Sequence, residues 1–270
     1  MGMLLYMCVQ SILSFAMSLE LTVLGSGNYV PGRGKDVRNP AGYAVRAGDD
    51  LILLDLGFGN VRQLARAGLR AEDVTDVFLT HRHPDHCGDL PALLFAFHGG
   101  PHPKPRRERL RVWGPAGTSE LVAGLCRVWK PFLDPRGYAL EVRELAGGGE
   151  VQGVGWVVEA HSVPHTTPAL AYRISRGSSS LVYSGDMEHD PDFARFAASC
   201  DLLLIECTSG ADDAVPGHLS ASQAIALSRE ARAGETLLTH LSDSSAASAE
   251  RLIAGDACVS LAKDLLRRKI

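Results

Sequence analysis

Six cysteines occur in 270 residues, and no two of them form a Cys-x-x-Cys pair. That absence counts against a structural zinc ribbon. Several of the cysteines fall in apolar runs, where a free thiol behaves as a small buried hydrophobe, so the expected compartment is a reducing cytoplasm. Positive charge is not in excess either: 27 Lys+Arg face 31 Asp+Glu, for a net charge of -4. This is no general nucleic-acid footprint. The one basic run, His102 to Arg111, lacks interleaved aromatics for base stacking and reads as a solvated loop. No solenoid-type repeat and no Pro/Ser-rich linker interrupts the chain, so one compact domain is expected from its 46% hydrophobic content. The apolar stretch Met3 to Ala16 ends in a small-x-small triplet similar to a secretory signal, yet no Lys or Arg precedes it. It is too short to span a bilayer. Residues 1–16 are therefore expected to be a start-site overextension without a membrane role, and residues 17–270 the folded domain.

What the chain does contain is a concentration of metal-binding side chains. His81-Arg82-His83-Pro84-Asp85-His86 places three imidazoles and a carboxylate directly after the strand-like run Asp76 to Thr80. Imidazole nitrogen and carboxylate oxygen are the usual ligands of zinc in sites without cysteine. His81 and His83 can share one side of an extended backbone. Asp85 and His86 lie beyond a turn forced by Pro84, so the two groups can grip two different ions.

A two-metal site needs further ligands at strand ends, where a sheet can hold them rigidly. Three residues fit. His165 follows the apolar run Trp156 to Ala160, Asp186 ends Ser180 to Asp186, and His240 ends Thr236 to His240. Each alone reads as a polar residue at a sheet edge; together they favour a metal site.

The order His81-x-His83-x-Asp85-His86, then His165, Asp186 and His240, resembles the metallo-β-lactamase superfamily, and within it the branch of ribonuclease Z and related phosphodiesterases. Supporting motifs are Leu24-Gly25-Ser26-Gly27, Leu53-Leu54-Asp55-Leu56-Gly57, Trp113-Gly114-Pro115-Ala116-Gly117, Tyr183-Ser184-Gly185-Asp186 and Gly217-His218-Leu219-Ser220. They run from about Leu19 to His240, nearly the whole chain.

The resemblance implies two zinc ions, or manganese in their place. His81, His83 and His165 would hold one; Asp85, His86 and His240 would hold the other; Asp186 would bridge them. Asp55 would accept the free ring N–H of a ligand histidine. A water between the metals would ionise near neutrality and attack phosphorus or a carbonyl carbon, oriented by Asp85. His218 would contact the scissile phosphate or protonate the leaving oxygen, with Glu206 orienting it. The expected substrate is a small anionic phosphodiester or a nucleic-acid end. A homodimer is compatible with this branch.

Two departures from ribonuclease Z stand out. Ile205 occupies the position where that family usually carries histidine. The longer forms of ribonuclease Z also carry a protruding arm that clamps transfer RNA, between the third metal histidine and the bridging aspartate. Here only a hairpin-sized connection around Arg176 to Ser180 joins His165 to Asp186. Acyl hydrolysis of a lactone or thioester, and a non-hydrolytic member of the fold active in cofactor biosynthesis, are the competing readings. The first leaves His218 without a task; the second is usually accompanied by lost ligands.

Strand-like runs at 19–24, 43–46, 51–55, 77–80, 110–113, 140–143, 156–160, 169–174, 181–184, 202–206 and 236–239 mix with helix-like stretches at 61–67, 90–97, 119–128, 191–198, 220–233 and 257–266. The mixture predicts an α/β fold, a four-layer αββα sandwich with the site at one edge of the two sheets.

Overall fold

The computed structural model describes residues 18–29, 37–99, 109–210 and 215–270. The first half of the chain runs β1 (Leu19–Gly25), β2 (Gly42–Ala47), β3 (Asp50–Leu56), α1 (Asn60–Arg66), β4 (Val74–Phe78), α2 (Pro84–Cys87), α3 (Leu90–Gly99), β5 (Leu110–Gly114), α4 (Thr118–Val128) and β6 (Leu140–Glu144). The second runs β7 (Glu150–Gln152), β8 (Val157–Val163), β9 (Ala169–Arg176), β10 (Ser179–Tyr183), α5 (Phe193–Phe196), β11 (Leu202–Glu206), α6 (Ala221–Ala231), β12 (Glu235–Thr239), α7 (Asp243–Leu252) and β13 (Val259–Leu261); β14 (Arg267–Lys269) ends the chain. Two seven-stranded sheets result, ordered β14-β1-β2-β3-β4-β5-β6 and β13-β12-β11-β10-β9-β8-β7.

The period-2 alternation of strands sorts their side chains into layers. On β3, Ile52 and Leu54 point between the sheets, whereas Leu51 and Leu53 face the outer helices. On β11, Leu202 and Leu204 point inward and Leu203 and Ile205 outward. Central strands buried on both faces therefore read as unbroken apolar runs. Three cores separate four layers, the expected αββα sandwich. Phe78 anchors the middle core, with ring centroids 5.9 Å from Trp113, 5.3 Å from Tyr172 and 6.4 Å from Trp156.

Helix starts follow local chemistry. Ser220 caps α6 by accepting from Gln223 N while the Gln223 side chain returns to the Ser220 N–H, and Ser242 and Ser245 do the same for α7.

The C-terminal region departs from expectation. The predicted helix at 257–266 is instead β13, a turn and the approach to β14. Val259 to Leu261 extend β12 in parallel, and Arg267 to Lys269 close the first sheet against β1. Unpaired sheet edges and the burial of Val259 and Ala262 outweigh a local helix preference. Sequence reading also misses α7 and β7, and the stretch predicted at 191–198 is helical only at Phe193–Phe196. The expected hairpin between His165 and Asp186 is present: Arg176 pairs with Ser179 across Gly177-Ser178, with Gly177 at φ 59°. The expected N-terminal extension, and most of the basic run from His102, lie outside the described residues. No helix among the described residues is long and apolar enough to cross a membrane.

Candidate metal centre

The ends of β3, β4, β10, β11 and β12 converge at one rim of the sandwich. Asp55, at the end of β3, and His240, just after β12, both adopt left-handed backbone, at φ 56° and 55°. Non-glycine residues take this conformation at a cost, and such costs concentrate at functional sites. Beyond the end of β4, Thr80 N lies 2.7 Å from Asp55 Oδ1.

 In that arrangement the backbone N–H of Thr80 donates to Asp55, and His81 follows immediately after it. Pro84 then opens the single turn α2, with His83 extended at φ −66°, ψ 144°, and the turn buries Asp85 and His86 side by side. From the second sheet, Gly185 at φ 59° lets Asp186 turn in beneath Thr80; a Cβ on that glycine would lie 2.7 Å from Thr80 Cβ.

All seven residues singled out in the sequence as ligands meet here. His81, His83, His165 and Asp186 form one donor set, and Asp85, His86 and His240 a second, the donor atoms of each set lying within 4.8 Å of one another. Asp186 Oδ2 is 3.8 Å from His81 Nε2, 3.2 Å from His86 Nε2 and 3.4 Å from His240 Nε2, so it stands between the sets. Asp85 Oδ2 is 3.4 Å from His240 Nε2 and 3.7 Å from His86 Nε2.

The far side of each ring fixes its tautomer. His86 Nδ1 donates to Asp55 Oδ2 at 2.7 Å, and His165 Nδ1 donates to the Gly217 carbonyl at 2.7 Å. Thr80 Oγ1 gives its proton to Asp55 Oδ2 at 2.7 Å and accepts from His81 Nδ1 at 2.9 Å. Each of these rings turns an Nε2 lone pair toward the centre, the arrangement that metal coordination requires. His83 differs, because its Nδ1 is the atom that faces His165 Nε2, at 3.3 Å.

These residues fit a pair of cations. His86 Nε2 and His240 Nε2 lie 3.3 Å apart, too close for two lone pairs without a positive charge between them. His81 Nε2 and Asp186 Oδ1 are buried and have no hydrogen-bond partner among the described residues. A proton shared by His86 and His240 would leave both of those atoms unsatisfied, whereas a cation in each donor set would satisfy them. Burial pulls His81 well below its ordinary range, seconded by His86, and burial also lowers His165 and His83; these rings are neutral and able to ligate. Burial opposes the charge on His86, yet the Asp186 and Asp55 carboxylates hold it well above the ordinary imidazole value. Burial would likewise raise Asp186, but His240 and His86 hold it well below the carboxylate range. Negative charge thus collects where cations would sit.

His218 lies at the rim, just before the Ser220 cap of α6. Its Nδ1 is 3.2 Å from Glu206 Oε1 and donates to it. Donor atoms of Asp186, His218 and His240 also lie within 4.8 Å of one another, but a donating Nδ1 offers no lone pair to a metal. Burial lowers the His218 imidazole, but the bond to Glu206 and the charges of Glu206 and Asp186 more than reverse this and raise it. Glu206 is fully buried and also accepts from Met187 N at 2.7 Å.

Sequence reading missed the supporting residues. Thr80 and Thr208 bear hydroxyls on ligand rings, Tyr183 donates to Asp55 Oδ2 at 2.8 Å, and Glu188 Oε1 accepts from Gly217 N at 2.7 Å. Adjacency to His81 was a usable signal for Thr80; Tyr183 was noted only as part of the motif ending in Asp186, without its bond to Asp55, and nothing local marks Glu188.

Known proteins share this architecture. Ribonuclease Z of Nocardia farcinica is 28% identical, over 92% of this chain and 96% of its own length. The probable metallo-hydrolase YhfI of Bacillus subtilis is 28% identical over 83% of this chain and 87% of its own length. The crystal structure of that metallo-beta-lactamase fold protein superposes with a TM-score of 0.80 at 25% identity, covering 94% of this chain and 100% of the other. The short form of human tRNase Z superposes with a TM-score of 0.73, covering 92% of this chain and 98% of the other; at 22% identity the likeness bears on the fold alone. The family described as "Beta-lactamase superfamily domain" matches residues 51–241, a span that holds all seven converging residues. The chain belongs to the beta-lactamase superfamily and has the metallo-β-lactamase fold.

Proposed function

We propose that this chain is a di-zinc hydrolase, with manganese as an alternative metal, that cleaves a phosphodiester. The observation that carries the reading is the meeting of two donor sets across Asp186, with the Glu206–His218 pair alongside. The ribonuclease Z name of a relative that matches over nearly its full length supports the same chemistry.

His81, His83 and His165 would hold one ion, Asp85, His86 and His240 the other, and Asp186 would bridge them. When bound, the ions would lower the pKa of a water between them and stabilise charge on the phosphoryl oxygens. Asp85 Oδ2 lies beside both His86 and His240 and would orient the attacking oxygen. Glu206 favours the charged form of His218, in which Nε2 would carry a proton. His218 would deliver that proton to the leaving oxygen as the phosphorus–oxygen bond breaks.

The short turn between β9 and β10 leaves no arm between His165 and Asp186, which favours a small anionic phosphodiester or a nucleic-acid end as substrate. The described cysteines are free, and Cys87, Cys200 and Cys207 are buried as small hydrophobes, which supports our placing the chain in a reducing cytoplasm. A screen of the zinc-loaded protein against bis(p-nitrophenyl) phosphate, cyclic nucleotides, a lactone and a precursor transfer RNA tests the proposal. Fastest turnover of a phosphodiester is expected; fastest turnover of the lactone would replace the reading with acyl hydrolysis.

A further inference from the structure

The Thr208 hydroxyl sits at a junction that the proposed chemistry leaves unexplained. Its Oγ1 is 2.7 Å from Glu206 Oε2, 2.7 Å from His240 Nδ1 and 3.3 Å from His218 Nδ1. A hydroxyl has one proton to give. The buried Glu206 carboxylate, as the charged acceptor, takes it, and the Oγ1 lone pairs then face the His240 ring. His240 must place its own proton on Nδ1 to meet them, which turns an Nε2 lone pair toward Asp85 and Asp186, at 3.4 Å from each. The chain around the hydroxyl is pinned: Thr208 N donates to the Leu219 carbonyl at 3.2 Å, and Ser242 Oγ donates to the Thr208 carbonyl at 3.2 Å. Thr208 is also largely buried, so water competes poorly for these bonds.

We infer that Thr208 is a positioning residue that sets the tautomer and orientation of His240, and that through it one buried anion, Glu206, serves both a second-pocket ligand and the rim histidine His218. The inference rests on the metal reading above. His165 is held instead by the Gly217 carbonyl, so the loss of the Thr208 hydroxyl falls on the Asp85/His86/His240 pocket alone.

Zinc titration against a competing chromophoric chelator tests this with wild type, Thr208→Val and Thr208→Ser. Valine keeps the size and branching but not the hydroxyl. Wild type and Thr208→Ser are expected to bind two zinc ions tightly, and Thr208→Val to keep one while the other weakens roughly 10- to 100-fold, as for the loss of a partner to a ligand histidine. Proton spectra of the zinc-loaded protein supply an independent readout: beside the ring N–H signals of His81, His86 and His165, one further slowly exchanging downfield ring N–H, that of His240, is expected in wild type and Thr208→Ser and absent from Thr208→Val. Two tight zinc ions in Thr208→Val would overturn this inference alone. Absence of tight zinc from wild type would overturn it together with the metal reading.

Discussion

Asp55 takes the Nδ1 proton of His86 at 2.7 Å from a backbone turned to φ 56°. The same carboxylate accepts from Thr80 N, Thr80 Oγ1 and Tyr183 OH, so four donors converge on it. Asp55→Asn would put an N–H₂ among those donors. Zinc affinity is expected to fall roughly 10- to 100-fold, with a lower melting temperature; chelator competition and a thermal scan measure both.

Among the described residues, Asp186 is the one carboxylate within reach of His81, His86 and His240 together. Asp186→Ala would leave two cations facing each other without an anion between them. Elemental analysis should find fewer than two metal ions per chain, and turnover should be lost. In wild type, saturating zinc at about 1,000 times its Kd should add about 4 kcal/mol of stability, seen as a melting temperature that falls on chelation.

His218 has a folded-state pKa above its unfolded value, because Glu206 and Asp186 outweigh the cost of burial. The stability this provides is fully present below the ordinary imidazole pKa and is lost as pH rises through the raised value. In chelator-treated protein the melting difference between wild type and His218→Ala should therefore shrink with rising pH. In the loaded enzyme His218→Ala should lower kcat by roughly 10²- to 10⁴-fold and remove the alkaline limb of the kcat profile.

Gly217 carries φ 85°, and a Cβ there would stand 3.0 Å from His165 Nδ1. Gly217→Ala is expected to cost about 1–3 kcal/mol of stability. By shifting the carbonyl that His165 bonds, it should also loosen zinc; paired melts and titrations would show both effects, and an unchanged zinc affinity would mean that the loop yields instead.

The candidate ligands were legible because four of them are crowded into His81 to His86 and the others end apolar strand runs. Layer assignment was legible for the same local reason, as in the alternation of Leu202 to Ile205. Residues whose meaning depends on distant partners were not. Tyr183 matters through Asp55, 128 positions away, and Glu188 through Gly217. The short edge strands β7, β13 and β14 take their form from a neighbouring strand, so their own residues carry little signal. Around β13, Ala257 to Leu266 carried the wrong one.

Each donor set draws on both sheets: His81 and His83 come from the first and His165 and Asp186 from the second, while Asp85 and His86 meet His240 across the same seam. A cation held in either place would act as a rivet between the halves of the sandwich. Chain segments folded separately would have only weak grip on it, so tight uptake would report that the halves have docked. Amide exchange along the strand ends at the seam should slow on loading far more than exchange at the opposite rim.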